Sequence, residues 1–324
     1  MATHALRLWG ATADFAEGPY VPPDCHFTVW RYSGPTLLQF LASHKSFARY
    51  FPDAEPLLQP TEQGIAVRFK PATPLNAPVD TLPDCEAHID KVLSVFAELG
   101  LESDFPITAP ERRGSIRDLL GDATARFVLE QELEFSTKAF LYYLELPAKW
   151  SNRHGRRVDL NAILQTLAHR DLGEGACTGT HLCQTIALAL AIDSREPFLG
   201  PDGQTLYDCL REISARLERS QEPSGAWSVD WPMSGIGRQL VESEGAAGAR
   251  LRVTGHHLEW IAIAPASVCP ADDAVLRAIR FLQETLAELP GDSYHHHYTA
   301  LTHAGRALLI LSGVHANSQW LAEE

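Results

Sequence analysis

The segment "TGHHLEW", residues 254–260, sets two adjacent histidines and a carboxylate in a run that is otherwise mostly apolar. Neutral imidazole is a base or a metal ligand near pH 7. On a helix, neighbouring positions point about 100° apart, so His256 and His257 face different surroundings. His256 is the candidate for chemistry, and His257 is expected to point into helix packing. Glu259 lies three residues after His256, close enough on a helix surface to orient its ring; the competing reading is a carboxylate that caps the first turn.

Related openings occur elsewhere. "GTH" at 179–181 and "YHHHYTALTH" at 294–303 precede or begin apolar helices. If those helices run parallel, His181, His256, His303 and one or more of His295, His296 and His297 meet around one mouth. Helix N-termini there favour an anionic ligand. His181, His256, Glu259 and His303 are therefore the candidate catalytic residues. The plainer alternative makes Thr180 and Thr254 N-caps, with histidines that only bond to neighbouring loops.

Cys177 is a candidate metal ligand or reactive thiol, and zinc the candidate ion, because cysteine with histidine suits it. Cys183 points to the other side of the helix and is expected in the core. "DLGEGACTGTH" lacks the GK[ST] ending of a phosphate-binding loop, and no G-x-S-x-G nucleophile elbow is present. "GIGRQLVESEGAAGAR", residues 235–250, is expected to be a loop near the mouth, either a lid or a linker. Trp227, Trp231, Tyr294 and Tyr298 are the candidate substrate-binding aromatics; Tyr142 and Tyr143 are also available, and Trp260 is assigned to packing.

The elements that must position these groups are helical. Leu160, Ile163, Leu164 and Leu167 form one stripe, as do Leu206, Leu210, Ile213 and Leu217, and Val275, Ile279, Leu282 and Leu286. Between them, "THLCQTIALALAI", "GHHLEWIAIA" and "YTALTHAGRALLIL" are apolar nearly all round. Striped helices alternating with enclosed ones predict an all-α fold, an α/α toroid with inner and outer helices. A linear solenoid is the competing layout. Residues 1–110 are expected as an irregular N-terminal part with a few helices, and 111–324 as the hairpin domain. Helices are predicted near 36–51, 84–100 and 115–147, with a short strand at "GIAVRF".

The joint "QEPSGAW" resembles the Q-x3-G-x-W repeat of the squalene/hopene-cyclase branch of the α/α-toroid superfamily, through Gln221, Gly225 and Trp227. Its physical reading is a tight turn with Trp227 over a helix end and Gln221 satisfying exposed backbone groups. "GDSYHHHYTALTHAGRALLIL" resembles the segment of protein prenyltransferase β-type chains in which a Tyr-His pair opens an inner helix and the His binds zinc, which places His295 as a ligand. The resemblance sets Asp230 where those chains carry an Asp-x-Cys pair, but Trp231 and Pro232 follow it. The Asp-x-Asp-Asp acid motif of the hopene cyclases is absent. The resemblance, over about 155–315, implies the fold and neither activity.

Composition bounds the partners. A net charge of −14 argues against nucleic acid, and no apolar run is long enough to span a bilayer. The N-terminus has no basic-then-apolar signal, and the six cysteines form no CxxC pair, so a cytoplasmic protein with reduced thiols is expected. The functional expectation is an enzyme whose His-lined pocket takes a small organic or prenyl-like substrate: a cyclase, transferase or lyase. A non-catalytic binding module and a carbohydrate-active lyase or hydrolase are the alternatives.

Overall fold

The computed structural model describes residues 1–14, 33–69, 88–175, 177–232, 237–290 and 297–313, with backbone alone at residue 174 and over 237–244. Among these, the fold is mostly helical. The N-terminal part contains α1 (Ala2–Trp9), α2 (Gly34–Ala42), α3 (His44–Ala48), the strands β1 (Leu58–Pro60) and β2 (Ile65–Val67), and α4 (Lys91–Glu98). There follow β3 (Pro106–Ala109), β4 (Arg112–Ser115), α5 (Ile116–Arg126), α6 (Glu134–Tyr143), β5 (Lys149–Ser151) and β6 (Arg157–Asp159). The remaining helices are α7 (Leu160–His169), α8 (Thr180–Asp193), α9 (Gly203–Ser220), α10 (Gly237–Ile261), α11 (Asp272–Glu288) and α12 (Tyr298–Leu311). The strands pair as three antiparallel hairpins, β1–β2, β3–β4 and β5–β6.

Local chemistry starts several helices. Ser33 accepts from the Thr36 amide ahead of Pro35 at α2, and Asp159 accepts from the Asn161 amide at α7. At α5 the Asp118 carboxylate accepts from the Ser115 amide at 2.9 Å. The apolar stripes of α7 and α9 are buried as their spacing requires, and α8 is buried from Thr180 through Leu190. On α11 the buried line is instead Ala274, Ala278 and Leu282, with Val275, Ile279 and Leu286 at its edges. Small alanines let that helix approach its neighbours closely.

Two expectations change. The stretch 115–147 is two helices, because Phe127 leaves helical dihedrals (φ −57°, ψ 133°) and buries its ring against Phe140 and Trp150. The stretch expected as a loop at 235–250 is helical from Gly237, with one non-helical residue, Gly245 (φ 71°, ψ 163°). Glycine adopts that left-handed conformation at little cost, and Gly245 forms the kink at which one helical run gives way to the next. His256 consequently lies well inside α10.

The buried helices have a cyclic order of neighbours. α1 packs on α4 and α12, α4 on α6, α6 on α8, α8 on α10, and α10 on α12. The striped helices lie against this set: α7 on α6 and α8, α9 on α8, α11 on α10 and α12, and α5 on α4 and α6. One apolar cluster extends from Leu6 to Ala307, so the core continues across residue 110, with α1 and α4 among the enclosed helices. No helix among the described residues is long and apolar enough to cross a membrane.

Candidate functional site

Three of the enclosed helices bring histidines together. The rings of His181 (α8) and His256 (α10) are 4.7 Å apart between centroids, and those of His256 and His303 (α12) are 3.5 Å apart. All three are buried, as is Glu259. Gly255 explains the closest pair: a Cβ there would lie 2.7 Å from the Ala304 amide nitrogen, so only glycine lets α10 and α12 approach this far. His4 on α1 joins the layer edge-on to His303 at 5.0 Å, while Phe135 packs at 4.8 Å from His181.

Cys177 reaches the layer from the turn before α8. Cys177 (φ 51°) and Thr178 (φ 58°) are left-handed without being glycine, and Gly179 (φ 79°) follows as the N-cap. Such residues cost on the order of 1–3 kcal/mol each and need outside support. Here the Cys177 carbonyl accepts from the Thr178 hydroxyl at 2.6 Å and the Thr180 hydroxyl at 2.9 Å. Cys177 is half-buried, as is His4, whereas His181, His256, His303 and Glu259 are buried.

The proton positions follow from the partners. Burial alone would raise the Glu259 carboxyl, but Arg7, His303 and Arg306 outweigh it and hold it well below the usual carboxylate range. Glu259 is therefore ionised and only accepts. His303 Nδ1 must donate to its Oε1 at 3.1 Å, and His256 Nδ1 faces its Oε2 at 3.7 Å. Lys138 only donates, and its Nζ lies 3.2 Å from Gln184 Oε1; that fixes the amide, and His181 Nδ1 donates to the same oxygen at 3.4 Å. Burial, reinforced by nearby cations, pushes the His181 imidazole well below its usual pKa. Burial with the neighbouring His303 and His181 does the same to His256, and burial lowers His303 to about 4 despite Glu259. All three rings are neutral, and the donor roles of Nδ1 leave the lone pairs of His181 and His303 on Nε2. The Nε2 atoms of His256 and His303 are buried with no hydrogen-bond partner.

One helical turn away lies a charged layer. Glu98 on α4 accepts from Arg7 Nε at 2.6 Å, Lys138 Nζ at 3.1 Å and Arg306 Nη2 at 3.1 Å. Glu259 receives Arg7 at 3.4 Å and Arg306 at 3.3 Å. Burial lowers the Lys138 ammonium to about 8, with Glu98 opposing the shift. The same order recurs on four helices: His4 and Arg7, His181 and Gln184, His256 and Glu259, His303 and Arg306, each three residues apart.

Two groups of side chains could hold a metal ion: Cys177, His181 and His256, and His256, Glu259 and His303, with the donor atoms of each within 4.8 Å of one another. A tetrahedral zinc ion spaces its ligand atoms by roughly 3.5 Å, so either group would close slightly on an ion. In the second group Glu259 already accepts from His303, and an ion would have to displace that proton. The first group leaves Glu259, whose Oε2 is 3.7 Å from His256 Nδ1, in the usual position of an outer carboxylate.

The other candidate residues lie elsewhere. Trp227 and Trp231 are buried against His257, at 5.5 and 4.4 Å between ring centroids, and not against the histidine layer. Trp260 donates its indole N–H to His257 Nδ1 at 3.0 Å, so His257 belongs to packing, as its direction on the helix requires. Trp227 Nε1 donates to the Leu217 carbonyl at 3.0 Å, and Gln221 Nε2 donates to the Ala274 carbonyl at 2.8 Å, which is the joint's expected backbone work. Tyr298 donates to the Met1 carbonyl at 3.3 Å. Asp230 is exposed and belongs to neither possible metal group. Tyr294, His295 and His296 lie outside the described residues.

Neither threonine is an N-cap. Thr180 is the first residue within α8, and Thr254 sits mid-helix, where its hydroxyl accepts from the Trp227 amide at 3.0 Å. Sequence reasoning missed His4, Arg7, Glu98, Lys138, Gln184 and Arg306. The recurring histidine with a polar partner three residues on was the available signal.

No protein-family model, no curated protein and no solved structure matches this chain.

Proposed function

We propose that the chain is a metal-dependent enzyme of α/α-toroid architecture acting on a small polar organic substrate. The observation that carries this reading is the pair of buried, partnerless Nε2 atoms of His256 and His303, whose rings are neutral and face an ionised Glu259 with their Nδ1 atoms. Unpaired buried acceptors are costly, and they persist where they bind something. The cyclic order of enclosed helices, and the shared histidine-first order on α1, α8, α10 and α12, support the toroid.

In this reading Cys177, His181 and His256 hold a zinc-class ion. Cys177 is half-buried, so water or substrate would reach such an ion from its side. Such an ion polarises a carbonyl or acidifies a bound water. His303, oriented by Glu259, is the general base. This suits hydrolysis or elimination better than prenyl chemistry, because Arg7, Lys138 and Arg306 close beneath the histidines would have to be desolvated against a hydrocarbon chain.

Plasma mass spectrometry of the purified protein, alongside Cys177→Ser and His256→Ala, tests the metal. One equivalent of zinc or a related ion in the wild type, reduced in both variants, is the expected result. No metal in the wild type, even after incubation with zinc and desalting, removes the reading.

A further inference from the structure

The charged layer beneath the histidines does not balance. Three buried cations, Arg7, Lys138 and Arg306, converge on two carboxylates, Glu98 and Glu259. Glu98 is shared by all three cations, and Glu259 also receives His303. The histidines add no negative charge. Lys91 reaches His4 Nε2 at 3.1 Å from α4, and Arg252, one turn before His256, acts on His256 and His303 with the same sign. The neighbouring carboxylate Glu134 faces its own cation, Arg170, at 3.9 Å. Among the described residues the three cations that meet Glu98 and Glu259 thus outnumber those two carboxylates by one, away from bulk water.

Such an excess is expensive. An ion taken out of water costs several kcal/mol unless a counter-ion meets it. Glu98 with two arginines would already be satisfied, so Lys138 is the surplus charge. Its other partners are neutral: the Gln184 carbonyl oxygen and the face of Phe135, whose centroid is 4.6 Å from Nζ. Gln184 Oε1 also receives His181, so Lys138 is one hydrogen bond from the histidine layer. Arg306 Nη1, three residues after His303 on α12, has an ionic contact to Glu259 but no hydrogen bond.

We infer that the site takes an anionic ligand, a carboxylate or phosphoryl oxyanion, whose charge is met by Lys138 and Arg306 while its reacting end faces His181, His256 and His303. The ligand chemistry is a planar or tetrahedral oxyanion because guanidinium and ammonium donors pair with oxygen anions through short, charge-assisted hydrogen bonds. This assigns the substrate class for the enzyme proposed above and rests on that reading for the chemistry that follows binding. The charge balance itself does not depend on a metal.

The test follows thermal unfolding and calorimetric binding of the full-length protein in sodium phosphate and in sodium acetate, against sodium chloride at equal ionic strength. Metal content is measured on the same samples. The wild type is expected to gain melting temperature saturably in phosphate or in acetate, and the anion that acts identifies a phosphoryl or a carboxylate ligand. Lys138→Met, which removes the surplus charge at similar volume, is expected to melt above the wild type in chloride and to bind that anion at least about tenfold more weakly. Equal melting in all three salts overturns the inference. So does a Lys138→Met protein that is less stable in chloride or responds as the wild type does. An anion response in protein that holds no metal leaves the oxyanion site standing and removes the metalloenzyme. Metal without an anion response does the reverse.

Discussion

The rings of His256 and His303 lie 3.5 Å apart between centroids at an interplanar angle of 34°, although 46 residues of chain numbering separate a glycine-adjacent position on α10 from the second turn of α12.

That approach depends on Gly255. A Cβ there would come within 2.7 Å of the Ala304 nitrogen and 2.8 Å of the His303 carbonyl carbon, backbone atoms that cannot step aside singly. Gly255→Ala is expected to push the helices apart, destabilise by about 1–3 kcal/mol, and weaken metal retention. Gly305→Ala meets only a flexible Leu8 methyl at 3.2 Å and is expected to be much milder. Urea unfolding and metal content of the two variants check this, and equal behaviour would refute it.

Glu259 holds two histidines and two arginines at once. Glu259→Gln deepens the positive excess and leaves Arg7 and Arg306 short of a counter-charge. The expected cost is about 3–5 kcal/mol, the scale for a broken buried pair. Removing Asp273 from the exposed Arg277 pair on α11 is expected to leave stability nearly unchanged, because water screens that pair. Denaturant titration of both variants makes the comparison.

Acid should loosen the fold before ordinary carboxylates protonate. His303 falls from 6.5 to about 4 on folding, through burial opposed by Glu259. Below pH 6.5 the unfolded chain therefore binds protons that the folded chain refuses, and stability falls as pH drops from 6.5 until about 4. That span corresponds to about 3 kcal/mol for this one residue. His181 and His256 shift in the same direction, and Glu98 and Glu259 add a further loss at lower pH, since each is held ionised below its ordinary range. Urea midpoints of chelator-treated protein at pH 7, 6 and 5 should decline steadily; a flat profile contradicts the protonation scheme.

Metal loss should cost stability through Cys177. Ligand binding to the folded state alone stabilises by mass action. A chelator is expected to lower the melting temperature of the wild type and leave Cys177→Ser nearly unchanged. Similar shifts in both would place the ion elsewhere.

The joint at Trp227 is expected to be structural. Its indole is fully buried and donates to the Leu217 carbonyl. Trp227→Ala should cost about 3–5 kcal/mol, while the variant that still folds at low temperature keeps its metal. Loss of metal in folded Trp227→Ala would bring the tryptophan into the site.

Much of the helical framework was legible in the chain. The stripes at Leu160–Leu167 and Leu206–Leu217, and the all-round apolar α8, follow from the 3.6-residue repeat, which is a property of local geometry. His181, His256, Glu259 and His303 stood out because polar groups in apolar helices need a reason to be there. What the sequence by itself could not decide was where helices bend and which surfaces meet. The run 235–250 looked like a loop because glycine and small polar residues weaken local preference, whereas the backbone is helical from Gly237 on either side of a kink at Gly245. Arg7, Glu98 and Lys138 were not singled out, since nothing local announces that α1, α4 and α6 bring their charges together. Sequence periodicity reports the face of each helix, but the charge balance of a site is a sum over several helices, and only their tertiary contacts bring its members within reach of one another.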